Sequence, residues 1–576
     1  MMNSRLSDAG GERPPGAALL LILLACLAAL WFGTLHQRKL INPDEGRYAE
    51  IPREMVASGD WLTPRLNGIK YFEKPALQYW ATATAYTLFG EHEWTARLWS
   101  ALCGFLGILA TAFTARRLWG KDAALYAASV LSSSLLWVMI GHVNTLDMGV
   151  SFFLAAAIFC FVLAQRDEAV AAPTPRETRN WMWLGWLALA LAILSKGLIG
   201  MALPAATLVV YSLWQRDFAI WRRLHLLSGL ALLLAVTAPW FIAVSLANPE
   251  FARFFFIHEH FERFLTKAHG RYQPMWYFIP ILIAGMLPWL VGMVAMVGSA
   301  VRRDPERRFQ PRRFLLVWCV VVFGFFSASS SKLASYILPL FPALAALIGV
   351  YLAELAGRQP RALAWHAAPF VVLGAVALYF APEATRFSSE RVPPTLYADY
   401  IPWLRAAAVA LLAGAALAVI LARAAKARAA IISLAVGGLL CALAILLGHD
   451  SLSPANSAAH IAARIRDQVK PETPFFSLNA YDQSLQFYLK RTTTMVFYKD
   501  ELGFGIEHEP EKFIGDQPAF ERAWNAAPEA WALLDPETWQ RFEKEGLPMR
   551  VVDRDTRRLP QLIEFGRCAG GDLGYE

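Results

Sequence analysis

The sequence predicts an all-α polytopic membrane domain of about thirteen transmembrane helices, followed by a small soluble α/β domain. Three observations predict it. Apolar blocks near the ~20 residues needed to cross a bilayer recur from residue 17 to residue 447. Hydrophobic residues make up 56% of the 576-residue chain and charged residues only 17%, too apolar a balance for an ordinary soluble enzyme and far from that of a disordered chain. After residue 450 the composition turns soluble. The net charge of +8 then points to cytoplasmic loops facing anionic lipid, not to nucleic acid.

The candidate spans are 17–36, 98–115, 123–141, 148–164, 181–195, 198–214, 224–247, 276–299, 314–330, 334–356, 363–381, 402–422 and 429–447. Arg5 and Arg13 precede the first, and no small-residue cleavage site follows it, so it reads as an uncleaved span. The stretch 75–89 is ambiguous, being short and containing Gln78, Tyr79 and threonines. Charge decides it. If 75–89 does not cross, the clusters at Arg116/Arg117/Lys121, Arg166/Arg176/Arg179, Arg216/Arg222/Arg223, Arg302 to Arg313, Arg358/Arg361 and Arg423/Lys426/Arg428 all share the N-terminal side. That side is the cytoplasm by the positive-inside rule, with the C-terminus outside. Four outer features follow: the first loop 37–97, the turn Asn144-Thr145-Leu146-Asp147, the loop 248–275 and the tail.

The chain thus divides into a membrane domain, 1–449, and an outer domain, 450–576. In the latter, Pro474-Phe-Phe-Ser-Leu, Thr494-Met-Val-Phe-Tyr, Ala530-Trp-Ala-Leu-Leu and Met549-Arg-Val-Val read as strands. Helical stretches 459–469, 482–490, 519–526 and 537–545 lie between them. The six cysteines, of which Cys568 alone lies outside the apolar blocks, show no paired spacing, so neither a disulfide framework nor a thiolate metal site is expected.

The first loop breaks the charge rule. Arg38, Lys39, Arg47, Arg53, Arg65, Lys70 and Lys74 are mixed with Asp44, Glu45, Glu50, Glu54, Asp60 and Glu73. Pro43 biases Asn42 to extended backbone, and Asp44 can cap a helix over 45–55. The run Asn42-Pro-Asp-Glu-Gly-Arg-Tyr-Ala-Glu-Ile, then Gly59-Asp-Trp and Tyr71-Phe-Glu-Lys-Pro, resembles the first periplasmic loop of bacterial transferases that attach 4-amino-4-deoxy-L-arabinose to lipid A. These belong to the protein O-mannosyltransferase-like glycosyltransferases of the GT-C fold. Further similarities are Thr145-Leu-Asp147, Ser195-Lys-Gly197, His258-Glu-His-Phe-Glu-Arg-Phe264, Leu287-Pro-Trp289 and Ser331-Lys-Leu…Tyr336-Ile-Leu-Pro339. The set runs from about residue 17 to residue 356; the tail fits the architecture without a motif of its own.

The resemblance implies transfer of a sugar from a polyprenyl phosphate outside the membrane. A lipid phosphate is already a good leaving group, so fixed cations that neutralise it matter more than a proton donor, and they act strongly at a water-poor boundary. Lys74, Arg47, Arg253 and Arg263 come from the two long outer loops, and Lys196 and Lys332 from span ends, where each could instead snorkel to headgroups. The family places acidic residues at the positions of Asp44 and Asp147 in the catalytic cavity; the plainer reading of Asp147 is a helix cap. A hydroxyl acceptor would require Asp44 as general base, whereas an anionic lipid A phosphate needs none, leaving the carboxylates to orient the sugar's amine. Tyr48, Tyr71 and Tyr336 are candidates to flank the substrate or are belt aromatics. The cluster around His258 reads first as a hydrogen-bonded interfacial helix; the sharper reading is that His258 with Glu73 holds zinc or manganese, and no cofactor is required by the sequence. Its spacing is not that of a zincin protease.

The expected function is transfer of aminoarabinose from undecaprenyl phosphate to lipid A by a monomer at the periplasmic face of the inner membrane, which would lower binding of cationic antimicrobial peptides. A related enzyme using another sugar or a hydroxyl acceptor is the nearest alternative. A lipid flippase is less well matched, because transporters carry their charges near mid-membrane and these spans are nearly free of them. A scaffold would not need the acid–base crowding of the first loop.

Overall fold

The computed structural model describes residues 16–166, 172–262, 273–389, 392–553 and 562–564. Among them, eight helices are long and apolar enough to cross a membrane, or ten if each of two bent pairs is one span. The shorter apolar helices Ala18–Gly33 and Ile199–Gln215, and Pro175–Lys196 with its polar start, fill the remaining predicted stretches. The protein is a multi-pass membrane protein. Leu146–Gln165 and Ala334–Arg358 form the buried centre, whereas Leu226–Ala247 and Pro394–Arg423 turn most of their surface outward. The helix Leu77–Phe89 has 13 residues, about 20 Å at the α-helical rise, and is too short to span.

Two predicted spans are not straight. Lys121–Ser133 and Leu135–Gly141 meet at 65°, and Met275–Gly285 and Leu290–Ala300 at 110°. Pro288 has no N–H with which to continue a helix. Ser133 and Ser134 bond back to the carbonyls of Ser129 and Val130, competing with the helix ladder. The two breaks satisfy each other: the Leu135 amide donates to the Leu287 carbonyl at 3.2 Å, and the Trp289 indole to Ser133 Oγ at 2.9 Å. The motif Leu287-Pro-Trp289 is therefore a packing device. Beside it lies an apolar cavity of about 320 Å³, which no predicted site residue lines.

The tail forms a four-stranded parallel sheet. Its strands are β3 (Phe475–Leu478), β4 (Thr494–Val496), β5 (Phe513–Ile514) and β6 (Trp531–Leu534), in the order β5-β4-β3-β6, and an antiparallel pair β7 (Arg550–Asp553) and β8 (Leu562–Glu564) follows. Buried on both faces, β3 and β6 read as near-continuous apolar runs, as parallel strands do. A hairpin in the first loop, β1 (Arg65–Leu66) and β2 (Ile69–Lys70), turns through Asn67 and Gly68, both at positive φ. It docks on the tail. Asn67 donates to the Thr493 carbonyl at 2.8 Å and accepts from its amide at 2.7 Å, and Arg65 pairs with Glu509 at 2.9 Å. The tail thus covers the first loop, and both lie on one side of the helical domain.

Candidate active site

Asp147 lies in the first turn of Leu146–Gln165, and Lys196 is the last residue of the antiparallel neighbour Pro175–Lys196. Each charge therefore sits at the helix end that favours its sign. Gly197, at φ 83°, ends the second helix in a backbone that L side chains rarely adopt, and so leaves Lys196 at the rim. The ammonium pairs with Asp147 Oδ1 and stands 4.4 Å from the centre of the Tyr336 ring. Ser335 donates to Asp147 Oδ2 at 2.8 Å. Three separate motifs of the sequence meet here, around one carboxylate. Asp147 has side-chain partners of its own and is not the N-cap: that position is Thr145, whose side chain makes no capping hydrogen bond.

The helix after Pro43 starts at Asp44, one residue earlier than expected, and Asp44 does not cap it. Its carboxylate instead pairs with Arg47 one turn on, at 3.0 Å, and its side chain remains 45% exposed. The neighbouring Glu45 points the other way, into the protein. It accepts from the Ile41 amide at 2.9 Å, from Arg97 at 2.7 and 2.8 Å, and from the Asn144 amide at 3.0 Å. Arg97, fully buried, also donates to the carbonyls of Leu35, Arg38 and Lys39. Burial opposes the charge on Glu45, but the Arg97 guanidinium and these hydrogen bonds hold its carboxyl down to about 2. The junction fixes the loop that carries Asp44 against the turn that leads to Asp147. Gly59-Asp60-Trp61 is likewise structural: Gly59 caps the helix end at φ 74°, and Asp60 accepts from the amides of Leu62 and Thr63.

Arg47 is buried between Asp44 and Glu501, the latter from the outer domain, with its guanidinium carbon 5.7 Å from the Tyr48 ring. Gln483 donates to the other Glu501 oxygen at 2.7 Å. Burial pushes the Glu501 carboxyl above its ordinary range, against the pull of Arg47. Gly46 makes the approach possible: a β-carbon there would come within 2.5 Å of the Ser484 amide nitrogen. Lys74 pairs with Glu259 at 3.1 Å and donates to the Glu73 carbonyl at 2.7 Å, so the first loop also binds the segment 253–262. Lys70 pairs with Glu250, just before that segment, at 2.7 Å.

Of the other predicted residues, Lys332 is buried, donating to the carbonyls of Gln273 and Ser329 instead of reaching up to headgroups. Arg253 is exposed at the start of a π-helical stretch, Arg253–Glu262. Arg263 lies outside the described residues. Tyr48 and Tyr71 are buried in a cluster with Tyr79 and Phe251. His258 stacks on Phe254, whose ring in turn lies 3.8 Å from that of Phe504 in the outer domain. Among the described residues no three His, Cys, Asp or Glu side chains gather as a metal site. The Lys74 ammonium, 3.9 Å from Glu73 Oε2, also disfavours a cation there. Sequence reasoning missed Glu501, Ser335 and the role of Glu259; Ser335 was marked by its place beside Tyr336, whereas Glu501 carries no local signal.

The crystal structure of ArnT from Cupriavidus metallidurans bound to undecaprenyl phosphate superposes with a TM-score of 0.90, at 38% identity, over 97% of this chain and 100% of that one. The chain belongs to the ArnT family. The same ArnT in the apo state gives a TM-score of 0.89 over 96% of this chain. The family profile for the aminoarabinose transferase C-terminal domain matches residues 461–560, and that for dolichyl-phosphate-mannose-protein mannosyltransferase matches 17–255. Relatives named undecaprenyl phosphate-alpha-4-amino-4-deoxy-L-arabinose arabinosyl transferase are similar from Erwinia tasmaniensis (36% over 348 residues) and Proteus mirabilis (38% over 344 residues). These alignments cover 60% and 59% of this chain and span 61% and 60% of those relatives' length. The fold thus pairs Asp44 with Arg47 where the outer domain packs through Glu501, and Asp147 with Lys196 at the meeting ends of two helices.

Proposed function

We propose that this chain is a glycosyltransferase that moves 4-amino-4-deoxy-L-arabinose from undecaprenyl phosphate to a phosphate of lipid A, acting as a monomer at the periplasmic face of a bacterial inner membrane. The observation that carries the reading is its likeness, over nearly the whole chain, to an ArnT solved with undecaprenyl phosphate. In the transfer, the bond from the anomeric carbon to the donor phosphate breaks with its electrons on that phosphate, and an oxygen of the acceptor phosphate bonds to the same carbon. No proton needs to leave the acceptor. The requirement is charge: Lys74 and Arg47 on the covering loop, with Arg253 at the rim, offset the departing phosphate where water is scarce. Asp44 is the more open of the two carboxylates and serves the sugar's ammonium, while Asp147 is committed to Lys196 and Ser335.

The test is mass spectrometry of lipid A from cells with and without the chain. The expected product is lipid A carrying an added aminopentose on phosphate, together with raised resistance to polymyxin. Unmodified lipid A with the protein present in the membrane would overturn the assignment, and another sugar on lipid A or on protein would redirect it to a different donor.

A further inference from the structure

Arg47 stands between two carboxylates from distant parts of the chain. Its Nη1 meets Asp44 Oδ1 at 3.0 Å, its Nη2 meets Glu501 Oε2, and its Nε is buried with no hydrogen-bond partner among the described residues. The side chains of Arg47 and Glu501 are 7% and 10% exposed, while that of Asp44 opens outward at 45%. Glu501 cannot move freely: Gln483 holds its second oxygen, and it lies in the 3-10 turn Asp500–Leu502 that leads into the helix Gly503–His508, whose Phe504 stacks on Phe254. One guanidinium thus faces two fixed or semi-fixed anions. A phosphate reaching Arg47 from the open side must share it with, or take it from, the carboxylate behind.

We propose that Glu501, supplied by the outer domain, is a positioning residue that acts through Arg47 as a resident counter-anion, holding down the site's affinity for lipid phosphate so that the spent carrier can leave. This rests on the reading of the site as one that takes a lipid phosphate. Two anions that compete for one cation are coupled reciprocally, so removing the internal one strengthens the other. The outer domain is then part of the site's electrostatics as well as its roof.

The experiment titrates undecaprenyl phosphate into the full-length chain in nanodiscs, followed by native mass spectrometry. Glu501→Gln keeps the shape and a polar partner for Gln483 but removes the charge. It is expected to lower Kd roughly 5-fold or more, within the usual range of coupling between two binding events. In turnover it should lower KM and kcat together, the mark of slowed release, where a merely structural loss would lower kcat alone. Adding Arg47→Gln should erase the gain in binding. Glu501→Asp, which draws the carboxylate back by one methylene, should give a smaller gain in the same direction and serves if the glutamine variant does not fold. Unchanged or weaker binding in a folded Glu501 variant overturns the counter-anion role. Failure of the wild-type chain to bind undecaprenyl phosphate would instead remove the donor reading, and this inference with it.

Discussion

Asp44 and Glu45 are adjacent in sequence and occupy opposite kinds of place. The region around Glu45 is closed: four donors from three segments converge on one carboxylate, and its partner Arg97 has no exposed surface. The region around Asp44 is open on one side and holds a single cation between two carboxylates. The first arrangement leaves little hydrogen-bonding capacity for a ligand. The second leaves an exposed carboxylate beside a guanidinium with an unused buried N–H. A charge's duty here is decided by whether its partners exhaust it, and not by its position in the motif.

The largest effect expected from this contrast is on activity. Asp44→Ala and Lys74→Ala should each reduce modified lipid A by at least about 100-fold, the scale seen when one charge-stabilising group is lost from a site. The Asp44→Ala variant should keep its protein level and melting temperature, because Asp44 is half exposed and its pair with Arg47 spans one helical turn; Lys74→Ala leaves the buried Glu259 unpaired, so its activity is compared per amount of folded protein. Quantitative mass spectrometry of lipid A beside a thermal melt checks both halves. Near-wild-type modification in either variant would end the distinction between the two regions.

The mirror experiment attacks the closed region. Glu45→Gln or Arg97→Ala leaves a buried charge without its partner, at a cost of about 3–5 kcal/mol, and should lower the melting temperature and the yield of folded protein. The pH dependence has a definite sign. Glu45 is more acidic folded, at about 2, than its ordinary 4.5. Its contribution is therefore fully present above pH 4.5 and fades as the pH falls through 2. Melts of wild-type and Glu45→Gln protein should differ most above pH 4.5 and converge towards pH 2. A constant gap across that window would mean that the carboxylate's charge is not what holds the junction.

What the sequence made legible follows the range of the forces involved. The spans were legible because each must cross the same hydrocarbon thickness, and the strands at 475–478 and 531–534 because burial on both faces leaves an unbroken apolar run. The helix breaks near Ser134 and Pro288 were missed because apolar composition runs straight through them. The hairpin 65–70 could have been found, since Asn67-Gly68 is the strongest short-range signal for such a turn. At the site, Asp147, Lys196 and Tyr336 were singled out from separate motifs, and the structure joins them. Glu501 was out of reach: it is paired with a residue 454 positions earlier (501 − 47), and nothing around it in the chain distinguishes it.

The smallest expected effect concerns the segment where the two regions' logic was hardest to read. Glu73 and His258 have the chemistry of metal ligands, but an ammonium stands beside the first and the ring of the second lies against Phe254. A divalent ion at Glu73 would have to displace or repel Lys74, which is already paired with Glu259. Exhaustive chelation of the purified, lipid-embedded chain is therefore expected to leave transfer within about 2-fold of its starting rate, since the leaving phosphate is served by fixed cations. Loss of activity on chelation, restored by zinc or manganese and abolished by His258→Ala, would show that Lys74 gives way to a metal there. Asp44 would then work beside a site held together by an ion, and the contrast between the closed and open regions would have to be redrawn around it.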